Sequence, residues 1–365
     1  MTSLPPLLLA GQFPPPVNGF AYITQEMAKA LAASHEVTII DLAPHKPNDG
    51  LPYHLRRLGL TLRGLWPLLR GCLKPRRVFY VACEGGLGLV YTLILCAAAR
   101  ALRTPTFIHH HSFHYIDRRS SLMALLLLVC GKGATHIFLC PIMGERFAAR
   151  YAASVKSVVL SNSAFVAPVA SPPRTQQAGA PLVIGLLSNL NNEKGLGLFL
   201  DLLRRAAQEG LNIAGVLAGP APSEADQQAI AAAQRDLGKR LDYRGAVYGA
   251  AKDAFFGSID VFVFPTLYAN EAQPTVVFEA QAHGIPTLSF NRGCIPCQVG
   301  ACGLIVPQGE DFVAAALAWL KVQLDAPGAL AQLKLDARAA FMNDREAALR
   351  TVATLMQPTT NGKSK

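Results

Sequence analysis

The strongest constraint on this chain is an alternation, repeated twice, between short runs of Val, Ile, Leu and Phe and longer segments of helical spacing. In the first half the runs are Leu7–Ala10, Val37–Leu42, Val78–Ala82, Thr106–His110, Ile137–Cys140 and Ser157–Leu160. Helical patterns lie between them, most clearly at Tyr22–Ala33 and Leu87–Leu102. Such alternation predicts a parallel sheet with helices on both faces. From Ala167 to Ala180 the composition turns to Pro, Ser, Thr, Gln, Ala and Gly, as in a linker. The rhythm then resumes with runs at Leu182–Leu187, Ile213–Leu217, Asp260–Phe264, Thr287–Phe290 and Leu304–Val306 and helices at Leu196–Gln208, Glu224–Leu237 and Val276–His283. The expected fold is therefore α/β, with two Rossmann-like doubly wound domains facing a central cleft. The first spans 1–166, a linker 167–180 follows, and the second spans 181–325. Helices over 326–357 can pack back toward the first domain, and 358–365 form a polar tail.

Composition narrows the classes. With 365 residues, 51% hydrophobic and 16% charged, the chain has material for two cores and is not globally disordered. A net charge of +10 calls for an anionic partner. Eight cysteines, several of them inside apolar runs (Cys83, Cys96, Cys130, Cys140), read as small hydrophobes in a reducing compartment rather than a disulfide framework. The first ten residues lack a basic n-region and read as a buried strand rather than a signal peptide. The longest apolar run, Leu122–Cys130, is about half of the roughly 20 residues a membrane span requires, so it and Leu89–Leu102 are expected to be buried helices.

In open α/β sheets, ligands bind beyond the carboxyl ends of the strands, so the residues following each run are the candidates for chemistry. After the first run comes Gly11-Gln12-Phe13-Pro14-Pro15-Pro16-Val17-Asn18-Gly19. Gly19 stands where a helix begins, able to present backbone N–H groups to an anion or a hydroxyl, or simply to make a surface turn. After Thr106–Ile108 come His109, His110, His111 and then His114, and a period of two puts His109 and His111 on one side. Adjacent histidines converge poorly on one zinc ion, so a polar cleft edge touching substrate is favoured over metal or incidental packing. After Leu182–Leu187 comes Ser188-Asn189-Leu190-Asn191-Asn192-Glu193-Lys194-Gly195; a lysine at this loop-to-helix junction suits a diphosphate. After Asp260–Phe264, Glu271 and Glu279 stand seven residues apart, one in a loop and one on the helix begun near Pro274. Carboxylates accept sugar hydroxyls well, and both can face one ligand if the loop bends back.

With these loops in place, the chain resembles glycosyltransferase family 4, retaining sugar-nucleotide-dependent enzymes of GT-B architecture. The Glu–seven residues–Glu motif at Glu271 and Glu279 is the most specific element. Glu193-Lys194-Gly195, the Pro-Pro-Pro-Val-Asn-Gly loop, Ala218-Gly219-Pro220 and Asn162 support it. The resemblance implies that Gly19 lines the phosphate and acceptor side, and that His111 or His109 lies near the transferring sugar. It further implies that Lys194 holds the donor diphosphate, that Glu271 with the amides of Ala272 and Gln273 binds the donor sugar, and that Glu279 binds the ribose. Asn189 stands where the family often has an arginine. No Asp-x-Asp motif occurs, so no cofactor and no metal are expected, the nucleotide-sugar being a substrate. A zinc site at Cys294-Ile295-Pro296-Cys297 with Cys302 is disfavoured because the matching family segment is a glycine-containing donor loop.

Between Gly50 and Cys83 no acidic residue occurs, while Arg56, Arg57, Arg63, Arg70, Lys74, Arg76 and Arg77 interleave with Leu55, Leu58, Leu62, Leu65, Trp66, Leu69 and Leu73. Residues 55–77 read as an element lying on an anionic membrane surface, or as an ordinary helix with a solvated basic face. The implied partners are a nucleotide-sugar donor and a saccharide or lipid-linked saccharide acceptor of bacterial cell-surface polysaccharide synthesis, with no nucleic acid, since no nucleic-acid module accompanies the charge. The expected location is the cytoplasm or the inner face of its membrane. The alternatives are a non-catalytic sugar-nucleotide-binding protein and a sugar-nucleotide epimerase.

Overall fold

A computed structural model of the chain describes residues 4–15, 18–45, 50–70, 77–175 and 179–356. It forms two compact units: Val166–Arg345, and the chain up to Phe165 together with that from Glu346 onward.

In the first unit, strands β1 (Leu7–Gly11), β2 (Val37–Asp41), β3 (Val78–Cys83), β4 (Thr106–His110), β5 (Thr135–Phe138) and β6 (Lys156–Val159) make one parallel sheet in the order β2-β1-β3-β4-β5-β6. Leu8 pairs with Thr38 on one side and Phe79 on the other, which fixes the register at the centre. Helices α1 (Gly19–Ala32), α2 (Leu51–Arg70), α3 (Gly88–Ala101), α4 (His114–Asp117), α5 (Ser121–Cys130) and α6 (Pro141–Tyr151) make the crossovers. Asn18 starts α1 by accepting the Ala21 amide at 2.9 Å, a cap that contributes about 1 kcal/mol.

The second unit repeats the plan. Strands β7 (Leu182–Leu187), β8 (Ile213–Ala218), β9 (Leu241–Tyr243), β10 (Val261–Phe264), β11 (Thr287–Phe290) and β12 (Gly303–Val306) run parallel in the order β12-β11-β10-β7-β8-β9. Helices α7 (Leu196–Gln208), α8 (Glu224–Leu237), α9 (Ala250–Ser258), α10 (Thr275–Ala282), α11 (Ile295–Val299) and α12 (Phe312–Asp325) connect or follow them. The last helix, α13 (Pro327–Thr354), belongs to the second unit up to Arg345 and to the first from Glu346. In each sheet the strand order reverses once, between β1 and β3 and between β7 and β10, and these are the positions where such sheets open a crevice for ligands.

The predicted strands appear, several with ends shifted by one residue, as where the expected Ser157–Leu160 is Lys156–Val159. β5 begins and ends two residues earlier than expected, because Cys140 and Pro141 already form the cap and first turn of α6. β9 was missed: three residues, Leu-Asp-Tyr, are too short to carry a period. Asp260, expected as a strand residue, precedes β10. The helix over Leu122–Cys130 is only half buried, with Leu125 and Leu128 exposed. Among the described residues, no helix is long and apolar enough to cross a membrane.

Asp260 is wholly buried at the entry to β10. One carboxylate oxygen accepts the Val183 amide at 3.0 Å and the Arg174 guanidinium, and the other accepts Lys334 Nζ at 2.7 Å. Lys334 is buried too and also donates to the Arg174 carbonyl at 2.8 Å. The Pro- and Ser-rich segment is thereby strapped to its own unit, and Arg338 adds bonds to the carbonyls of Val169 and Ser171. Removing one partner of a buried ion pair strands the other charge, so Asp260→Ala should lose about 3–5 kcal/mol in denaturant unfolding, and Lys334→Met distinctly less.

In the first unit the core holds imidazoles. His110 stacks on His136 at 5.2 Å and on Phe138 at 4.8 Å, and its Nε2 bonds His136 Nδ1 at 2.9 Å. Burial pushes His136 down to about 4 and His110 well below its ordinary value. The folded protein therefore keeps both rings neutral where the unfolded chain takes up protons. This stability is complete above about pH 6.5 and is lost as pH falls toward the folded values, by about 1.4 kcal/mol per pH unit per histidine. Urea midpoints measured between pH 7.5 and pH 4.5 should fall on the acid side, with a shallower slope in His110→Phe/His136→Phe.

Candidate active site

The reversal between β7 and β10 gathers the lysine and the first glutamate of the sequence motifs. After β7 the chain is held by two bonds, from the Ser188 amide to the Ala218 carbonyl at 3.2 Å and from the Leu190 amide to the Pro220 carbonyl at 2.8 Å. Asn191 then caps a short 3-10 turn, Asn192–Lys194, by accepting the Lys194 amide at 2.9 Å. Gly195 ends it with φ +87°, and a Cβ there would lie 2.6 Å from the Pro265 carbonyl oxygen. Only glycine allows the turn to lie this close to the loop after β10. The Leu267 amide, bonded to the Glu193 carbonyl at 2.8 Å, locks the two loops together.

Lys194 Nζ consequently lies 2.5 Å from Glu271 Oε2, with Thr266 Oγ1 3.3 Å from the same oxygen. The ammonium also sits 4.4 Å from the centre of the Tyr268 ring. Glu271, Ala272 and Gln273 are buried, and Lys194 is about one-fifth exposed. Behind them Gly293, at φ +54°, allows the next loop to lie against the carbonyls of Glu271 and Ala272, and the Cys294 amide donates to the Ala272 carbonyl at 2.7 Å. Arg292 Nε donates to the Tyr268 carbonyl at 2.9 Å. The segment weighed for zinc thus begins α11 and braces the Glu271 turn through its backbone. Among the described residues, no group of three or more His, Cys, Asp or Glu side chains could hold a metal ion.

Glu279 makes a second, separate pair. Its Oε1 accepts Lys252 Nζ of α9 at 2.6 Å, while its Oε2 is buried without a hydrogen-bond partner. An unsatisfied carboxylate oxygen costs free energy, and a ligand hydroxyl is the natural complement. Asn189 is exposed in the loop after β7. Lys252, Thr266 and Arg292 were not found by sequence reasoning. Lys252 sits in a helix without a motif, whereas Asn291-Arg292-Gly293 directly follows a strand and carries the signal already used for the other loops.

The histidines lie in the first unit. His109 and His111 do share a side, their ring centres 4.0 Å apart. Tyr80 Oη and His109 Nδ1 are hydrogen-bonded at 2.6 Å, which fixes the orientation of the ring, and burial pushes the phenol up. His111 packs edge-on against Phe20, next to Gly19, and its amide donates to the Cys83 carbonyl at 3.1 Å. Burial pushes His111 down to about 3, and its Nε2 is buried without a partner, as is that of His109. A Cβ on Gly19 would meet nothing within 4 Å, so this helix start is open. His110 points to the core, and His114 is exposed. The first unit thus brings together Gly19 and His111 at the ends of β1 and β4, and the second Lys194 and Glu271 at the ends of β7 and β10. Glu279 stands apart with Lys252.

Residues 181–321 match the family described as Glycosyl transferases group 1. A curated relative, the phosphatidylinositol N-acetylglucosaminyltransferase gpi3 subunit of Schizosaccharomyces pombe, is 24% identical over 304 residues; the match covers 78% of this chain and 65% of that protein's length. Among solved structures, sucrose-phosphate synthase of Thermosynechococcus elongatus is similar with a TM-score of 0.69 and 17% identity, over 96% of this chain and 98% of the other. HepE of Anabaena, solved with UDP and glucose, is similar with a TM-score of 0.63 and 16% identity over 96% and 99%. A glycosyltransferase of Rickettsia africae is similar at 0.67 and 14% over 97% and 98%. The chain has the GT-B fold, and its second unit carries the match to the group 1 glycosyl transferases.

Proposed function

We propose that the protein is a retaining hexosyltransferase of glycosyltransferase family 4, which moves a sugar from a nucleotide donor to a lipid-linked saccharide in cell-surface polysaccharide synthesis of the bacterial type. The observation that carries this is the Lys194–Glu271 pair at the switch point of the second sheet, backed by Thr266 and framed by loops that only Gly195 and Gly293 allow to approach. HepE, which shares the fold, has been solved with UDP-glucose, and the gpi3 relative is named for transfer of N-acetylglucosamine to a phospholipid; both favour a nucleotide-sugar donor and a lipid acceptor.

In this reading the donor diphosphate takes up the Lys194 ammonium that Glu271 now accepts, and Glu271 with the amides of Ala272 and Gln273 receives the sugar hydroxyls. Glu279 Oε2 accepts a ribose hydroxyl. Gly19 opens the phosphate and acceptor side, and neutral His111, with His109 behind it, meets the sugar through Nε2. The bond from the anomeric carbon to the diphosphate breaks with its electron pair leaving on the phosphate. The acceptor oxygen bonds to that carbon from the same face, and its proton passes to the departing phosphate. Positive charge preorganised at the leaving group supplies the largest share of the rate. With Asn189 in place of an arginine, Lys194 bears this task with helix N-termini and without a metal ion. The reaction belongs on the cytoplasmic face, where the donor is made.

Purified protein should be stabilised against heat by one class among UDP-, GDP- and ADP-sugars, by about 2.7 kcal/mol at a hundredfold excess over Kd. Glu279→Ala should weaken donor binding about tenfold, one lost hydroxyl contact. Lys194→Ala should reduce turnover by about 10²–10³ with a smaller change in KM, and chelator should leave turnover unchanged. Binding without turnover in a membrane extract would instead identify a non-catalytic sugar-nucleotide-binding protein. Because His111 is held neutral, the pH profile of turnover should show no inflection near pH 6.5 from this residue.

A further inference from the structure

Helix α2 is inside out. Along its inward face run Arg57, Thr61, Gly64 and Leu68, all buried. Arg57 is held by Glu84 through two bonds of 2.6 and 3.1 Å, lies 4.4 Å from the Tyr91 ring, and has its carbonyl capped by Thr61 at 2.8 Å. Gly64 lets the helix lie against Ile40, where a Cβ would come within 2.5 Å of a methyl group. The outward face is the apolar one: Leu51, Leu55, Leu58, Leu62, Trp66 and Leu69 recur at helical spacing and all are exposed, Leu62 at 53% and Trp66 at 57%. A helix of a water-facing surface carries the opposite arrangement.

Sequence reasoning left two readings for this stretch, an element on an anionic membrane surface and an ordinary helix with a solvated basic face. An ordinary helix with a solvated basic face would bury its leucine stripe; here Leu51, Leu55, Leu58, Leu62 and Leu69 are solvated, and Arg57 is buried. Two of the seven cations counted in the stretch, Arg57 and Arg77, therefore do not face outward. Arg77 is spent on the Leu68 carbonyl at 2.6 Å and the Thr104 hydroxyl at 3.0 Å. Lys74 and Arg76 lie outside the described residues. Arg56, Arg63 and Arg70 are exposed beside the stripe, Arg70 over the Trp66 ring at 4.6 Å, and the helix contains no acidic residue.

We propose that the outer face of α2 inserts into an anionic lipid bilayer, with the six apolar side chains in the acyl boundary and Arg56, Arg63 and Arg70 at the phosphates. The charge complementarity selects this occupant: three exposed cations with no ion-pair partner among the described residues flank an apolar stripe wide enough to need covering. A second protein would have to be both apolar and acidic at the same helical spacing. The inward Arg57–Glu84 bond ties the inserted helix to the residue that follows β3, beside the strand-order reversal of the first sheet. The part of this inference that concerns the acceptor rests on the reading above: a lipid-linked saccharide would be presented at that edge. Bilayer binding itself does not depend on it.

The test is flotation of the full-length protein with vesicles of phosphatidylcholine, with and without about one-third phosphatidylglycerol, near 0.15 M salt. The protein should float with the anionic vesicles, and Leu62→Glu/Trp66→Glu should reduce the bound fraction at least tenfold. Arg56→Gln/Arg63→Gln/Arg70→Gln should abolish the preference for anionic lipid. In a Trp319→Phe background, the Trp66 emission should shift to the blue on binding. Donor-induced thermal stabilisation should be the same in Leu62→Glu/Trp66→Glu as in the native protein, which shows that the variant is folded and separates this proposal from the donor site. Wild-type protein that ignores anionic vesicles, or Leu62→Glu/Trp66→Glu that floats equally well, overturns it. So does a stable dimer in solution that the same substitutions dissolve, because a second copy would then be the cover.

Discussion

Asp260 brings a full negative charge to the centre of the second sheet, and much of that unit is arranged around keeping the charge neutralised. Its carboxylate binds β7 through the Val183 amide, the segment after the first unit through Arg174, and α13 through Lys334. A buried ion pair is not by itself a source of stability, since desolvation offsets most of the attraction. What it confers is position: apolar packing would tolerate small displacements of these elements, and a carboxylate with three donors does not. The fixed element is β10, clamped at its entry by Asp260 and ending at Phe264, two residues before Thr266 and seven before Glu271. The same short strand thus joins the most constrained charge in the unit to the loop that carries the candidate chemistry.

At the other end of β10 the constraint is steric. The Lys194 turn and the Glu271 turn come from different crossovers and have no covalent reason to meet. They meet because Gly195 removes the Cβ that would strike Pro265, and because Gly293 removes the one that would strike the carbonyls of Glu271 and Ala272. Backbone hydrogen bonds then hold Leu267 to Glu193 and Cys294 to Ala272. The ammonium and the carboxylate are therefore set at 2.5 Å by backbone contacts rather than found by two long side chains searching a surface. That preorganisation distinguishes this pair from an exposed ion pair, which would be worth about 1 kcal/mol or less.

Most of the fold was legible because the central parallel strands are buried on both faces and leave apolar runs, and eleven of the twelve strands among the described residues coincide with a run read from the sequence. β9 left none: three residues at a sheet edge, one of them charged, produce no period. The loops were legible for the same reason, since strand ends place candidate residues in order; Glu271 was expected to share a ligand with Glu279 rather than to pair with Lys194, yet both Lys194 and Glu271 could be singled out from the sequence. The partner of Glu279 could not, because Lys252 reaches it from a neighbouring helix, and tertiary packing alone sets that distance. The histidines show both sides of this limit. Period two put His109 and His111 on one side, but only the structure shows that Tyr80 orients His109 and that His110 is core, stacked on His136.

Helix α2 marks where periodicity stops being informative. A stripe of leucines at helical spacing defines a face but not its direction, and the usual rule that it points inward holds because nothing else can cover it in water. Here the inward direction was already taken. β2, α3 and the residue after β3 offer α2 a surface containing Ile40, Tyr91 and the carboxylate of Glu84, and a largely covered carboxylate demands a cation. Arg57 answers it with a bidentate fork, and a helix with Arg57 inward must carry residues 55, 58, 62, 66 and 69 on the opposite side. The orientation follows from one buried charge. Five leucines and a tryptophan are left outside, where only a non-aqueous phase or another apolar surface can cover them.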